Sequence, residues 1–247
     1  MPKQMKLLVI GESCSDIFHY GSCNRLCPEA PVPVFTPREI VKNGGMAMNV
    51  YNNLLSLGAC ADIVTNEGWE NITKTRFVDK RTNHMFMRLD ENDNMYGKCD
   101  LSDINFKDYE AVIVSDYNKG FLTKEQLELI SKNSKISFLD TKKKLGSWSD
   151  NFSIIKINNH EFEKTKDTLT EKTKQNLIIT RGPRGCEFRG KMYKVKLVEV
   201  KDTSGAGDTF IASLCYKYCS TRDINQSIIF ANNCSTMVVQ KMGVAAI

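Results

Sequence analysis

The sequence predicts an α/β fold with a mostly parallel central sheet flanked by helices, and three observations carry that prediction. Short runs such as "KLLVIG" (6–11) and "AVIVSD" (111–116) are apolar throughout, as strands covered on both faces must be. Segments of helical period separate them, and that alternation puts helices on both sides of a parallel sheet. Several runs close on Gly, Asp, Asn or Thr-Arg-Gly, polar ends of the kind around which ligands gather in such sheets.

The elements follow in order. "KLLVIG" ends in glycine as a buried strand should. The Pro-rich "CPEAPVPVFTPREIVK" has prolines at 28, 31, 33 and 37, which exclude helix and favour extended edge strands or an excursion from the main sheet. "NGGMAMNVYNNLLSLGA" places Met46, Val50, Leu54 and Leu57 on one helical face, with Gly58 as the stop. "CADIVT", "RFVDK", "HMFMRLD" and "AVIVSD" read as strands. "TKEQLELISKN" is an amphipathic helix with Thr123 as N-cap and Glu125 and Gln126 close behind. "KISFLD", "SIIKIN" and "NLIITRG" are three more strands, and "YKVKLVEV" is a further strand-like run. "FIASLCYKYC" and "INQSIIFANNCSTMVVQKM" are the closing helices.

Composition narrows the class. The 247 residues can bury a substantial core, and 41% hydrophobic with 26% charged residues is ordinary for a globular protein. No apolar run reaches membrane-span length and no leader is visible, so a cytoplasmic protein with no membrane partner is expected. A net charge of +5, spread along the chain, suits an anionic small substrate better than nucleic acid, which wants a concentrated stripe. Nine cysteines without a leader read as reduced thiols, and Cys14, Cys23 and Cys27 around His19 lack zinc-site spacing.

The chemistry concentrates in "DTSGAGDTF" (202–210). Gly205 and Gly207 let the chain turn so that backbone N–H groups converge, and a helix starting there adds its positive end, a cradle for an anion. Asp208 falls in the first turn, where the same dipole favours the carboxylate that a general base needs. It would take the proton of an attacking hydroxyl while the N–H groups of Gly205, Ala206 and Gly207 balance charge on a transferring phosphoryl group. Taken alone, the string also fits a plain turn with a favourable acid at a helix start. It is not a Walker A loop, since no Gly-Lys-Ser/Thr follows.

The full string resembles the C-terminal signature of the ribokinase-like (PfkB) carbohydrate kinases, and other segments agree in the right order. "NGGMAMN" resembles that family's Gly-Gly…Asn substrate motif, with Gly44, Gly45 and Asn49. "NNHEFE" resembles its Asn-x-x-Glu, with Asn158 and Glu161, and "ITRGPRG" its nucleotide turn, with Thr180, Gly182 and Gly185. The resemblance implies a three-layer ribokinase-like fold with a small β lid, and ATP with Mg2+ as cofactors. It also implies Asp208 as base, Gly205–Ala206–Gly207 as anion hole, and Asn158 and Glu161 near magnesium through water. Family members often use a monovalent cation such as K+ near the anion hole, here around Asp202. Asp16 matches the acidic residue that binds sugar hydroxyls, its plainer reading being a turn aspartate; Glu161 likewise has the plainer reading of an exposed helix-start residue. Asn232, in "FANN", is either an adenine-side contact or, more plainly, a helix surface residue.

"RLCPEAPVPVF", "VSDYNKGFLT", "FLDTKK" and "QKMGVAAI" look like the branch of the family that phosphorylates D-glycero-β-D-manno-heptose 7-phosphate on its anomeric hydroxyl, for lipopolysaccharide or surface-glycan heptose. Arg25, Lys42 and Arg88 are candidates to meet the sugar's own phosphate, though each alone reads as surface charge. Another sugar, sugar phosphate or nucleoside as acceptor, or a catalytically weak regulatory relative, are the competing readings. Three departures from the family stand out. Gly11 is followed by Glu12 rather than Asp. A helix and strand are missing between "ADIVTNEG" and "TKTRFV", so that either the sheet loses a strand or its exposed flank is covered by a partner chain. Asp140 is followed by Thr141 rather than Pro. We expect one kinase domain over 1–247, with lid excursions around 18–43 and 74–90, acting without a fused nucleotidyltransferase and forming a homodimer.

Overall fold

The computed structural model describes residues 5–244 and 246–247. The chain opens with β1 (Lys6–Gly11) and then leaves the main sheet for two long strands, β2 (Ser13–Leu26) and β3 (Pro33–Met46). It returns through helix α1 (Ala47–Ser56) to β4 (Cys60–Val64), and departs again for β5 (Thr73–Asp79) and β6 (Met85–Glu91). β7 (Ala111–Asp116), α2 (Lys124–Asn133), β8 (Ser137–Thr141) and β9 (Ile154–Asn158) follow. Then come α3 (Asn159–Thr165), α4 (Glu171–Asn176), β10 (Leu177–Thr180), β11 (Cys186–Phe188) and β12 (Lys191–Tyr193). Two long helices, α5 (Ala206–Thr221) and α6 (Ile224–Val238), close the fold.

The main sheet has eight strands in the order β12-β11-β10-β9-β8-β7-β1-β4. Pairing is parallel from β4 to β10, and only β11 and β12 run antiparallel. Alternation within single strands makes the three layers. Leu8 and Ile10 of β1 and Val112 and Val114 of β7 pack toward α2, with Leu127 and Ile130. Leu7, Val9, Ala111 and Ile113 point the other way, onto Val50, Leu54, Phe210 and Leu214 of α1 and α5.

The second sheet, in the order β3-β2-β5-β6, takes in both stretches from which a lid is expected. Pro33 and Pro37 sit on its edge strand β3, where a missing N–H costs no ladder bond. One face carries Cys14, Asp16, Phe18 and Tyr20, all buried; the other leaves Ile40 and Met87 open.

Some boundaries differ from expectation. The first helix begins only at Ala47, because the two glycines continue β3 and Met46 turns the chain at a φ of 60°. Of the strand-like run 193–200, only Tyr193 is in a strand; its valines line a cavity instead of pairing. β4 is followed directly by β5 of the other sheet, so β4 is the edge of the main sheet. No helix among the described residues is long and apolar enough to cross a membrane.

Candidate active site

The polar ends of β7, β8, β9 and β10 and the start of α5 meet on one side of the main sheet. A cleft of about 490 Å³ lies there, lined by Tyr117, Asp140, Lys156, Asn158, Gly207 and Asp208 among others. Gly205 is the N-cap of α5 at a φ of +77°, and a Cβ on it would come within 2.6 Å of the Asn49 amide nitrogen. Glycine is therefore required both for the turn and for the approach of α1. The Ala206 amide makes a long turn bond to Thr203 O at 3.3 Å, while Gly207 and Asp208 lie in the first turn, whose amides have no carbonyl inside the helix.

Asp208 is 5% exposed. Its Oδ2 accepts from Asn49 Nδ2 at 3.0 Å and its Oδ1 from the Tyr117 hydroxyl at 2.9 Å. Burial pushes its carboxyl up to about 6; Asp140 adds to the rise, while the Asn49 and Tyr117 bonds and Lys156 oppose it. Asn49 is held in turn by Asn53, whose amide donates to Asn49 Oδ1 at 3.1 Å and whose own oxygen accepts from Thr209 Oγ1 at 3.2 Å. A ladder of buried amides thus ties α1 to α5 around the carboxylate.

Lys156 lies over the cradle: a Cβ on Gly207 would meet its ammonium at 2.8 Å. It pairs with Asp140 at 2.6 Å, both almost fully buried. The Glu12 carboxylate is fully buried; one oxygen accepts the Tyr117 amide at 2.8 Å and the other the Lys119 amide at 2.9 Å. The longer side chain at this position thus reaches across to anchor the loop after β7. Thr141 donates its hydroxyl to Asp116 Oδ2, fastening β8 to the same loop.

Beside the cleft, Asn158 caps α3 in a reciprocal box with Glu161: Glu161 N donates to Asn158 Oδ1 at 2.9 Å and Asn158 N to Glu161 Oε2 at 2.7 Å. Glu161 is only partly exposed and pairs with Lys142 through Oε1, so it is more than a surface acid at a helix start. Thr180, Gly182 and Gly185 form the turn after β10, closed by the bond from Arg181 N to Gly185 O at 2.7 Å. A second, largely apolar cavity of about 430 Å³ adjoins, lined by Val195, Leu197, Val198, Phe210 and Val239. Thr180, Gly182, Thr203 and Gly207 line both spaces. Asn232 is buried in that wall and donates to Tyr193 O at 3.0 Å, which corrects its plainer reading as a surface residue. Asp202 accepts from Ser204 N at 2.8 Å and Gly243 N at 3.2 Å.

On the second sheet, Asp16 is buried, pairs with Arg76 at 2.6 Å, and packs against Gly45, where a Cβ would lie 2.4 Å from Oδ2. Gly44 pairs with Ser15 alongside. Arg88 lies opposite Arg76 on the same face, its guanidinium bound to Asp90 at 2.7 Å. Lys42 lies opposite Ile17, on the face away from Asp16, and Arg25 is exposed.

Residues 63–247 match the pfkB family carbohydrate kinases. The chain belongs to that family. It is a phosphotransferase that acts on an alcohol group. Among curated proteins, this pfkB kinase is 28% identical to the bifunctional protein HldE of Nitratiruptor sp. over 97% of the chain. It is 30% identical to HldE of Helicobacter pylori strain J99, again over 97%. The chain spans 62% and 64% of the length of these relatives. The alignments, 292 and 295 residues, exceed the chain's own length, so both relatives carry segments that it lacks. In fold it resembles the crystal structure of ribokinase from Thermotoga maritima, with a TM-score of 0.72 at 15% identity, covering 97% of this chain and 94% of that one.

The pfkB kinase thus brings Asn49, Gly205, Gly207 and Asp208 into one cluster and leaves Arg25 and Lys42 outside it. Sequence reasoning missed Tyr117, Lys156 and Arg76, and noted Glu12 only as a departure after the first strand. Two of these carried a signal: a lysine inside the apolar "SIIKIN" and a glutamate directly after "KLLVIG" are charges in otherwise buried strand contexts.

Proposed function

We propose that this kinase transfers the γ-phosphoryl group of ATP to the anomeric hydroxyl of a heptose 7-phosphate, giving the 1,7-bisphosphate. One observation carries the reading: a buried carboxylate, Asp208, stands at the amino end of α5 between the Asn49 amide of α1 and the Tyr117 hydroxyl, beside an apolar cavity fit for a nucleobase. Asp208 takes the hydroxyl proton, the sugar oxygen bonds to phosphorus, and the bond to the ADP oxygen breaks. The first-turn amides and Lys156 bear the charge that gathers on the phosphoryl oxygens.

Asn158 and Glu161 offer hard oxygen donors already engaged in capping, a set that suits Mg2+ through water rather than direct ligation. When bound with the nucleotide, the ion neutralises phosphate charge. Each Asp202 oxygen takes one backbone bond and keeps a lone pair for a monovalent cation, K+ in this reading. Asp16 is assigned to the sugar hydroxyls. Arg76 and Arg88, side by side on the face that carries Asp16, favour an acceptor with a phosphate of its own. The likeness to the HldE proteins supports this reading. The second sheet acts as the lid that excludes water from the transfer.

A coupled assay for ADP across phosphorylated and free sugars, with 31P NMR of the product, tests this. The expected result is a new anomeric phosphate on heptose 7-phosphate. Rapid turnover of another sugar with none on heptose 7-phosphate would overturn the substrate; turnover of none would overturn the activity.

A further inference from the structure

We propose that Tyr117 is a positioning residue for the catalytic carboxylate, clamping Asp208 from the side opposite Asn49. The inference rests on Asp208 being the base. The two donors reach different oxygens of the same carboxylate, Tyr117 at 2.9 Å and Asn49 at 3.0 Å. Two bonds on two oxygens fix both the position and the plane of the group. A carboxylate has about four acceptor sites, so each oxygen keeps one for the acceptor hydroxyl.

The loop that carries Tyr117 is built to hold it. Glu12 accepts its backbone amide and that of Lys119, and Asp116 accepts the Asn118 amide at 3.2 Å. Asp116 is fixed in turn by Lys143 at 2.6 Å and by the Thr141 hydroxyl. Glu12 and Asp116 are both almost fully buried, so the loop hangs on two carboxylates that bulk water does not reach. Two cations lie near the ring: Lys74 of the second sheet at 5.8 Å from its centroid, and Lys142, the partner of Glu161, at 5.4 Å. Tyr117 therefore touches the acceptor side, the nucleotide side and the base at once. Its hydroxyl keeps its proton, because burial and the neighbouring Asp208 and Asp140 push its ionisation well above that of an ordinary phenol. It acts as a donor to Asp208 throughout and takes no part in the proton transfer.

Tyr117→Phe retains the ring and its cation contacts and deletes only the hydroxyl. The other titratable groups facing Asp208 are Asp140 on β8, Lys142 after it, Lys156 on β9 and Cys14 on β2, and all remain in the variant. The expected result is a kcat lowered by roughly 10- to 100-fold with the KM for ATP within about twofold, on the scale of a lost charge-assisted hydrogen bond. The acid limb of kcat/KM should also move to higher pH, because a donor that favours the carboxylate is gone. Thermal unfolding from pH 4 to 8 without substrate reads the same carboxylate independently of turnover. The fall in stability attributed to Asp208 should extend to higher pH in the variant. Wild-type kcat with an unmoved acid limb overturns the proposal. If the wild type phosphorylates no sugar, the functional reading fails instead, and the unfolding profile alone decides for or against the clamp.

Discussion

Asp208 is costly to bury as an anion, and that cost is measurable. Its carboxyl titrates near 6 in the folded chain against an ordinary 3.8, so unfolded chains release the proton first as pH rises. Stability contributed at this site is therefore greatest below about pH 4 and falls as pH climbs toward 6. The loss is on the order of 3 kcal/mol at 1.36 kcal/mol per unit. Asp208→Asn removes the charge. Its melting temperature should exceed that of the wild type at pH 8, and the difference should shrink toward pH 4. The same variant should lose roughly 10²- to 10⁴-fold in turnover, the usual worth of a general base, with ATP affinity by calorimetry little changed. Near-normal turnover would assign the proton to another group. That one substitution is expected both to stabilise the fold and to disable the chemistry follows from placing the proposed base in a buried cradle.

At the level of elements, the start of α5 depends on a single residue. Gly205→Ala meets two obstacles together, a φ of +77° and a 2.6 Å approach to the Asn49 amide. The variant should lose about 1–3 kcal/mol by denaturant unfolding and at least about 100-fold in kcat, since α1 and the first turn of α5 are pushed apart. Retained activity would mean that the cradle tolerates displacement. Elements of this kind were legible in the sequence where local rules decide them. Thr123 caps α2 in a box with Gln126, Gly58 stops α1 in a left-handed turn, and the apolar runs became strands. The run 193–200 misled because β-branched residues suit any buried extended surface, and here they line a cavity. Tyr117 and Arg76 were not legible as site residues. What each one does depends on a partner brought in by the fold: Asp208 lies 91 positions beyond Tyr117, and Asp16 60 before Arg76.

On the scale of the whole molecule, the second sheet has two unlike faces. The face with Asp16, Phe18 and Tyr20 is buried, and the reverse carries Ile40 at 61% exposure and Met87 at 53%, with Phe35 and Phe77 in edge contact between them. A sheet face this apolar calls for cover, and we propose that a second copy of the same face supplies it. Light scattering should give the mass of a dimer, and Ile40→Glu with Met87→Glu should give a monomer whose melting temperature is otherwise preserved. A monomeric wild type would overturn the dimer. The ladder from Thr209 through Asn53 and Asn49 to Asp208 has a further consequence, for the order of assembly. Its bonds span 156 and 159 positions of the chain, so nothing local can form it. During refolding the helices and the apolar strands can gather early, but the proposed base takes the posture seen here only when α1 docks on α5. Catalytic competence is then among the last properties a refolding chain acquires, and a nascent chain stays inert until its final helices arrive.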